Sequence, residues 1–309
     1  MKLKAYIAAS GLLISVLMSA QENPEWNNSF SFAGISHDPV SAGVAFAGKA
    51  SASSSAWAAF YNPAAMSLKN NRLDVQASWQ NWAPDGVKST NVAAGASFRF
   101  GKLGIAAGFA RNGGEKYDVI STSGKVTDSF TPSDLQLGAG LSFAFAKWLS
   151  IGVNFNYLNT KLTSDDSFGG FGADIMANAV FDNFKVAVGV EDLGSSVKSA
   201  SDETFSMPSS LVVAGDWSKR FGASGLGAML DLNYYFSGSF TAAVGAQYDY
   251  KDMLFVRAGY HYGAKDAFLP SFATVGAGVK FFGISLNAAY LLGNDILKNT
   301  LTVGLGYSF

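Results

Sequence analysis

Leu301-Thr302-Val303-Gly304-Leu305-Gly306-Tyr307-Ser308-Phe309 closes the chain with an apolar side chain at every odd position and a small or polar one at every even position. Successive side chains of an extended strand point to opposite faces, so this stretch offers one greasy face and one small, polar face. Such a strand fits a wall whose outside meets lipid and whose inside meets a barrel interior.

The alternation runs back through the chain. Val92, Ala94, Ala96, Phe98 and Phe100 alternate with Ala93, Gly95, Ser97 and Arg99, and Leu103, Ile105, Ala107 and Phe109 alternate with Gly104, Ala106, Gly108 and Ala110. From Arg72 onward the pattern predicts about fourteen antiparallel strands, near 72–80, 90–100, 102–111, 133–146, 148–160, 168–180, 184–191, 209–218, 224–236, 239–250, 252–261, 271–282, 283–291 and 299–309. Tight connections at Gly101, Ala146-Lys147, Asp182-Asn183, Lys251-Asp252 and Phe282-Gly283 alternate with longer ones at 112–132, 161–167, 192–208, 262–270 and 292–298. Short periplasmic turns and long external loops give that rhythm. The connections at 219–223 and 237–238 fit it least. Aromatics gather at strand ends, as at Tyr248 and Tyr250 or Tyr260 and Tyr262, in the manner of an interfacial girdle. Tyr307 and the terminal Phe309 resemble the assembly signal of bacterial outer-membrane barrels.

Composition points the same way. Of 309 residues, 49% are hydrophobic and only 15% charged, where a soluble domain carries about 25% charged residues. Beyond residue 20 no run approaches the roughly 18 apolar residues that a membrane-spanning helix needs. A closed barrel is the other way to pair every backbone N–H and C=O in hydrocarbon. A net charge of -1 gives no basic footprint for nucleic acid. The absence of cysteine removes disulfides, thiolate metal sites and a lipid-anchored cysteine.

Lys2 and Lys4 precede an apolar stretch from Ala5 to Met18 that ends in the small residues Ser19 and Ala20, the layout of a secretory signal peptide. The expected division is therefore a signal peptide over 1–20, a plug segment over 21–71 and a transmembrane β-barrel over 72–309, located in the outer membrane of a Gram-negative bacterium. The inward rows are dominated by Gly, Ala and Ser, with exceptions such as Arg99, Asp231, Arg257 and Lys280. Small inward residues leave room for the segment ahead of the first strand. Within it, Ser41 to Ala59 is almost wholly Ala, Ser, Gly and Val, with Lys49 its one charge, and suits close packing against glycine-lined strands. Asn62 followed by Pro63 reads as an N-cap and first helical position.

Several of these residues carry a family resemblance. Asn62-Pro63-Ala64 is similar to the NPA element in the plug of FadL-type fatty acid transporters, a fourteen-stranded fold. A longer similarity is to the PorV/PorQ family, a branch of that fold associated with type IX protein secretion. It rests on Asp38-Pro39-Val40-Ser41-Ala42-Gly43 through Ala47-Gly48, on Asp192-Leu193-Gly194, and on Met207-Pro208-Ser209-Ser210-Leu211 with Gly215. The resemblance implies a non-enzymatic platform that holds the signal domain of secreted cargo, or a partner protein, at the cell surface.

The leading expectation is accordingly an outer-membrane adaptor in secretion or surface attachment, its partners being outer-membrane lipid and a cargo domain or secretion or assembly subunit. Lipid or detergent in the barrel wall is a further expected partner. Plug residues Asp38, Gly43, Gly48, Asn62, Pro63 and Ala64 form its motif, and loop aromatics Trp82, Tyr117, Phe130 and Phe205 are candidate contacts. The alternatives are FadL-like uptake of a hydrophobic small molecule and an accessory role in another complex such as the barrel-assembly machinery. No catalytic residue, cofactor or metal ligand is expected. The two histidines are His37, next to Asp38 in the plug segment, and His261, between Tyr260 and Tyr262; no local catalytic pattern is read at either, and a structural or solvated role is expected for both. Ser164-Asp165-Asp166-Ser167 lacks the spacing and closing Glu of a calcium loop.

Overall fold

The structure, a computed structural model, describes residues 30–51, 55–82, 89–163, 167–198, 204–265, 267, 269–293 and 300–309. The signal-peptide reading over 1–20 and the turn at 164–166 lie outside these residues. The strands are β1 (Leu73–Trp82), β2 (Ser89–Phe100), β3 (Leu103–Gly113), β4 (Tyr117–Ile120), β5 (Val126–Phe130), β6 (Ser133–Ala146), β7 (Leu149–Lys161), β8 (Ser167–Phe181) and β9 (Phe184–Gly194). They continue as β10 (Val197–Lys198), β11 (Thr204–Phe205), β12 (Ser210–Phe221), β13 (Ser224–Tyr235), β14 (Phe240–Tyr250), β15 (Leu254–Gly263), β16 (Phe272–Phe281), β17 (Ile284–Leu292) and β18 (Leu301–Ser308). All but β4, β5, β10 and β11 join one closed barrel of fourteen antiparallel strands.

The opening motif supplies the seam. β18 pairs with β1 from Ser308 opposite Asp74 to Leu301 opposite Asn81, so no edge is left for lipid to meet. The Phe309 N–H donates to Leu73 O at 2.8 Å, and its carbonyl accepts from Leu73 N at 3.0 Å. Leu301, Leu305 and Tyr307 face outward while Thr302 and Gly306 are buried, as the alternation requires. No helix among the described residues is long and apolar enough to cross a membrane.

The tight turns gather at one end with Leu73 and Phe309, which marks that end as periplasmic. Two of them have both central residues at positive φ, Lys251 and Asp252 at 57° and 55°, and Phe282 and Gly283 at 49° and 80°. That handedness matches the twist of the flanking strands. The connection between β12 and β13 is also tight, at Gly222, and the one between β13 and β14 is a short turn at the external end. Connections therefore alternate between ends throughout, and only the rule of long external loops fails at 236–239. Two features absent from the expected strands stand in the long loops: the β4–β5 hairpin, and the small β10–β11 ladder.

The segment before β1 sits inside the barrel as short helical pieces: η1 (Ser31–Gly34), α1 (Pro39–Gly43), η2 (Ser55–Trp57) and η3 (Pro63–Leu68). α1 packs on β15 to β18, η2 on β1 to β3, and η3 on β2, β3 and β6 to β8, so the segment bridges both halves of the wall. Glycine makes these approaches possible. A methyl group built at Gly108 would stand 2.5 Å from Phe60 Cε2, and one at Gly152 would overlap the Ala64 backbone nitrogen. Irregular backbone at membrane depth also needs hydrogen-bond partners. The wall supplies them: Ser150 Oγ donates to Ala64 O at 2.6 Å, and Asn154 Nδ2 donates to Ala58 O at 2.9 Å. The inward rows are thus more polar than expected, with Gln76, Gln80, Asn91, Gln136, Asn154 and Asn178 buried among the Gly, Ala and Ser.

At the external mouth Phe30, Phe32, Ile35, Trp82, Leu158, Val197, Met207, Leu269, Phe272 and Leu291 form one apolar cluster.

Candidate functional site

Below that cluster the lumen holds an outer cavity of about 90 Å³, and toward the periplasmic end an inner cavity of about 320 Å³. Ser41 and Gly48 line both, so the stretch from α1 to Lys49 is the partition between them.

Lys49 fixes that partition at three points. Its N–H donates to Asp231 Oδ2 at 3.0 Å, its carbonyl accepts from Asn62 Nδ2 at 2.8 Å, and its Nζ donates to Glu191 Oε2 at 2.5 Å and Asn233 Oδ1 at 3.3 Å. Gly48, at φ 99°, turns the chain there, a conformation that side chains resist. Burial alone would lower the Lys49 pKa, but the Glu191 and Asp231 carboxylates outweigh it and hold the ammonium above its ordinary value.

A bulge adds Asp192 to two acids, Asp174 and Glu191, that alternation already turns inward. Ala173 pairs with Leu193 and Ile175 with Val190, leaving Asp174 opposite both Glu191 and Asp192, with Asp192 at φ 54°. Asp174 Oδ1 accepts from Asp192 N at 2.8 Å, and its Oδ2 accepts from Asn154 Nδ2 and Asn156 Nδ2, each at 3.1 Å. Phe46, Trp57, Phe60, Tyr61, Ala243 and Leu269 give the same cavity an apolar lining. The inner cavity mixes Val44, Leu226, Met229 and Phe255 with Lys69, Asp249, Asp252, Arg257 and Lys280. There Arg257 donates through Nε to Gln247 Oε1 at 2.7 Å and through Nη1 to Asn287 Oδ1 at 3.0 Å.

His37 lies beside the outer cavity, 1% exposed. Its Nδ1 is 2.9 Å from Asn91 Nδ2 and its Nε2 is 3.4 Å from Gln136 Oε1. Asn91 donating to Nδ1 places the ring proton on Nε2, the neutral tautomer. Burial lowers the His37 pKa to about 4, against a smaller opposing effect of the Gln136 contact. His261, 4% exposed on β15, stacks on Phe272 with ring centroids 4.8 Å apart.

The residues singled out in sequence fall into three groups. Asp38 caps α1, its Oδ1 accepting from Val40 N at 2.9 Å, and Gly43 packs against Gly276, while Gly48 belongs to the partition. Asn62 caps η3, accepting from Ala64 N at 3.0 Å, with Pro63 as the first helical residue and Ala64 against Gly152. The loop aromatics do not converge. Trp82 is the last residue of β1 and belongs to the buried external cluster, 6% exposed, which corrects its reading as a loop contact. Tyr117 is exposed on β4, Phe130 lies under Lys161 Nζ at 5.5 Å from its ring centroid, and Phe205 stacks on Phe168 at 6.4 Å. Sequence reading missed Asp174 and Glu191, although plain alternation turns both inward, with Met176 and Asn178 on β8 and with Ala187 and Gly189 on β9; only Asp192 needs the bulge to join them.

The sequence matches no described protein family and no curated protein. In structure it is similar to the Ralstonia pickettii toluene transporter TbuX, at 11% identity and a TM-score of 0.63 over 88% of this chain and 98% of that one. It is likewise similar to the Pseudomonas putida toluene transporter TodX, at 14% identity and a TM-score of 0.59 over 80% and 92%. A Pseudomonas aeruginosa FadL homologue aligns at 14% identity and a TM-score of 0.50 over 88% and 95%. The chain is therefore a fourteen-stranded, FadL-like barrel of the Gram-negative outer membrane. The expected PorV/PorQ secretion adaptor is corrected by these comparisons: the shared fold is that of hydrocarbon transporters and a FadL homologue, and no sequence match ties the chain to PorV/PorQ.

Proposed function

We propose that this barrel takes up a small hydrophobic molecule across the outer membrane, as a conduit and not as a catalyst. The observation that carries the reading is the pair of lumen cavities placed back to back, parted by the stretch that includes Ser41 and Gly48. A molecule held in the outer cavity reaches the inner one, and then the periplasm, when that short partition shifts. The transporter descriptions of TbuX and TodX support the same reading. The apolar outward rows sit against outer-membrane lipid.

Radiolabelled toluene offered to proteoliposomes tests it. Uptake above that of empty vesicles is expected, and Ser41→Phe, which narrows the partition from both sides, is expected to abolish it. Uptake equal to empty vesicles refutes the reading.

A further inference from the structure

Resting on the uptake reading, the inner cavity also carries a head-group preference, and Arg257 sets it. The residue is 7% exposed and lines the cavity. Its guanidinium lies over the Phe255 ring, 5.1 Å from the centroid, and donates to two neutral acceptors, Gln247 Oε1 and Asn287 Oδ1. No carboxylate among the described residues pairs with it. Its other terminal nitrogen, Nη2, has no hydrogen-bond partner among them either, and unlike Arg99 Nε it is not one of the unpartnered atoms closed off from solvent. Nη2 therefore opens into the space that Arg257 lines.

The carboxylates of this cavity already have partners. Asp249 pairs with Arg220 at 2.6 Å, Asp252 pairs with Lys280 at 3.3 Å, and Asp74 accepts from Ser55 Oγ and Asn71 Nδ2. Lys69 and Lys185 line the same space. Burial lowers the Lys69 pKa to about 8, and the Lys185 and Lys280 charges press the same way against the opposing pull of Asp74 and Asp38. A buried guanidinium with neutral partners alone is costly, and an arriving anion relieves that cost. The planar fork of arginine suits a carboxylate in particular.

We propose that the inner cavity holds a small monocarboxylate with a ring-sized apolar body, its anionic oxygen accepting from Arg257 Nη2, in preference to the same body with an ammonium or with no head at all. Val44, Leu226 and Met229 line the cavity as the wall for that body. At about 320 Å³ the space exceeds a cavity of about 150 Å³ that holds benzene, so a ring and its carboxylate fit together.

Benzoate, benzylamine and toluene, matched in ring and differing in head, form the test set, titrated calorimetrically into the full chain in mild detergent at neutral pH, with the heat of detergent alone subtracted. Benzoate is expected to bind about tenfold tighter, or more, than either of the others, the worth of one hydrogen bond to a charged group. Arg257→Met is expected to bring that ratio close to one. Asn287→Asp, which hands the guanidinium a carboxylate of the protein's own, is expected to do the same with Arg257 still in place. Lys219→Met removes an exposed cation outside the cavity and is expected to leave the ratio as it is. Heat-modifiable electrophoretic migration reports that each variant retains its barrel. Benzylamine or toluene binding as tightly as benzoate, or a ratio that survives either Arg257→Met or Asn287→Asp in a folded barrel, overturns the proposal. If toluene enters proteoliposomes while benzoate is not preferred, the head-group assignment fails and uptake stands. If none of the three binds or enters, uptake itself fails and this inference with it.

Discussion

Acidification should loosen the inner segment through His37. The docked ring is neutral with a pKa lowered by burial to about 4, whereas an undocked segment in water has the ordinary 6.5. Between those two values the undocked state binds more protons than the docked state, so docking weakens as pH falls through that window and is unaffected well above it. Each pH unit inside the window is worth ~1.4 kcal/mol. From pH 7 to pH 5 the docked state therefore loses ~2 kcal/mol, a roughly 25-fold rise in the opening equilibrium. Hydrogen exchange of peptides spanning 35–47, corrected for the intrinsic pH dependence of amide exchange, reads that equilibrium directly. His37→Gln keeps a neutral hydrogen-bonding side chain and is expected to abolish the His37 share of the response. Corrected exchange that does not change between pH 7 and pH 5, or a response of equal size in His37→Gln, refutes the reasoning.

Three further outcomes follow from packing and capping. Gly152→Val drives a branched side chain into the Pro63–Ala64 backbone and should destabilise the docked segment by about 1–3 kcal/mol, while Gly113→Val, where a methyl group meets nothing within 4 Å, should be neutral; denaturant titration compares the two. Asn62→Ala removes both the cap on Ala64 N and the donor to Lys49 O, costing about 2 kcal/mol. Limited proteolysis should then cut the inner segment at lower temperature than in the parent barrel. Phe309→Ala keeps the backbone bonds of the seam and removes the aromatic, so the amount of barrel inserted in the outer membrane should fall severalfold while the inserted fraction melts as before.

The barrel was legible because its rule is local. A strand between lipid and a packed lumen must alternate, and Leu301 to Phe309 or Val92 to Phe100 carry that alternation whatever lies across from them. β4 and β5 were not legible, since a hairpin standing clear of the wall has no buried face to impose a pattern: Tyr117, Val119, Ile120 and Val126 are all exposed. Trp82 was misread because a strand's final residue and a loop's first look alike in sequence, and only its neighbours Phe30 and Leu158 show it buried. The capping role of Asn62 was readable from the proline that follows it, whereas Asp38, also ahead of a proline, was singled out only by resemblance and its cap on α1 came from the structure. The acidic lining was legible only in part: Asp174 and Glu191 stand on the inward rows of plain alternation, whereas Asp192 depends on one unpaired position between β8 and β9 and Lys49 arrives from more than a hundred residues away.

The seam between the first and last strands has a further consequence for how the molecule is made. β18 is delivered after every other strand of the wall, and the stopper belongs to the stretch delivered before the wall. The cylinder must then shut around an object already touching both of its halves. Errors in α1 or η3 should accordingly show up as barrels that fail to close during biogenesis, well before any leak through a finished one.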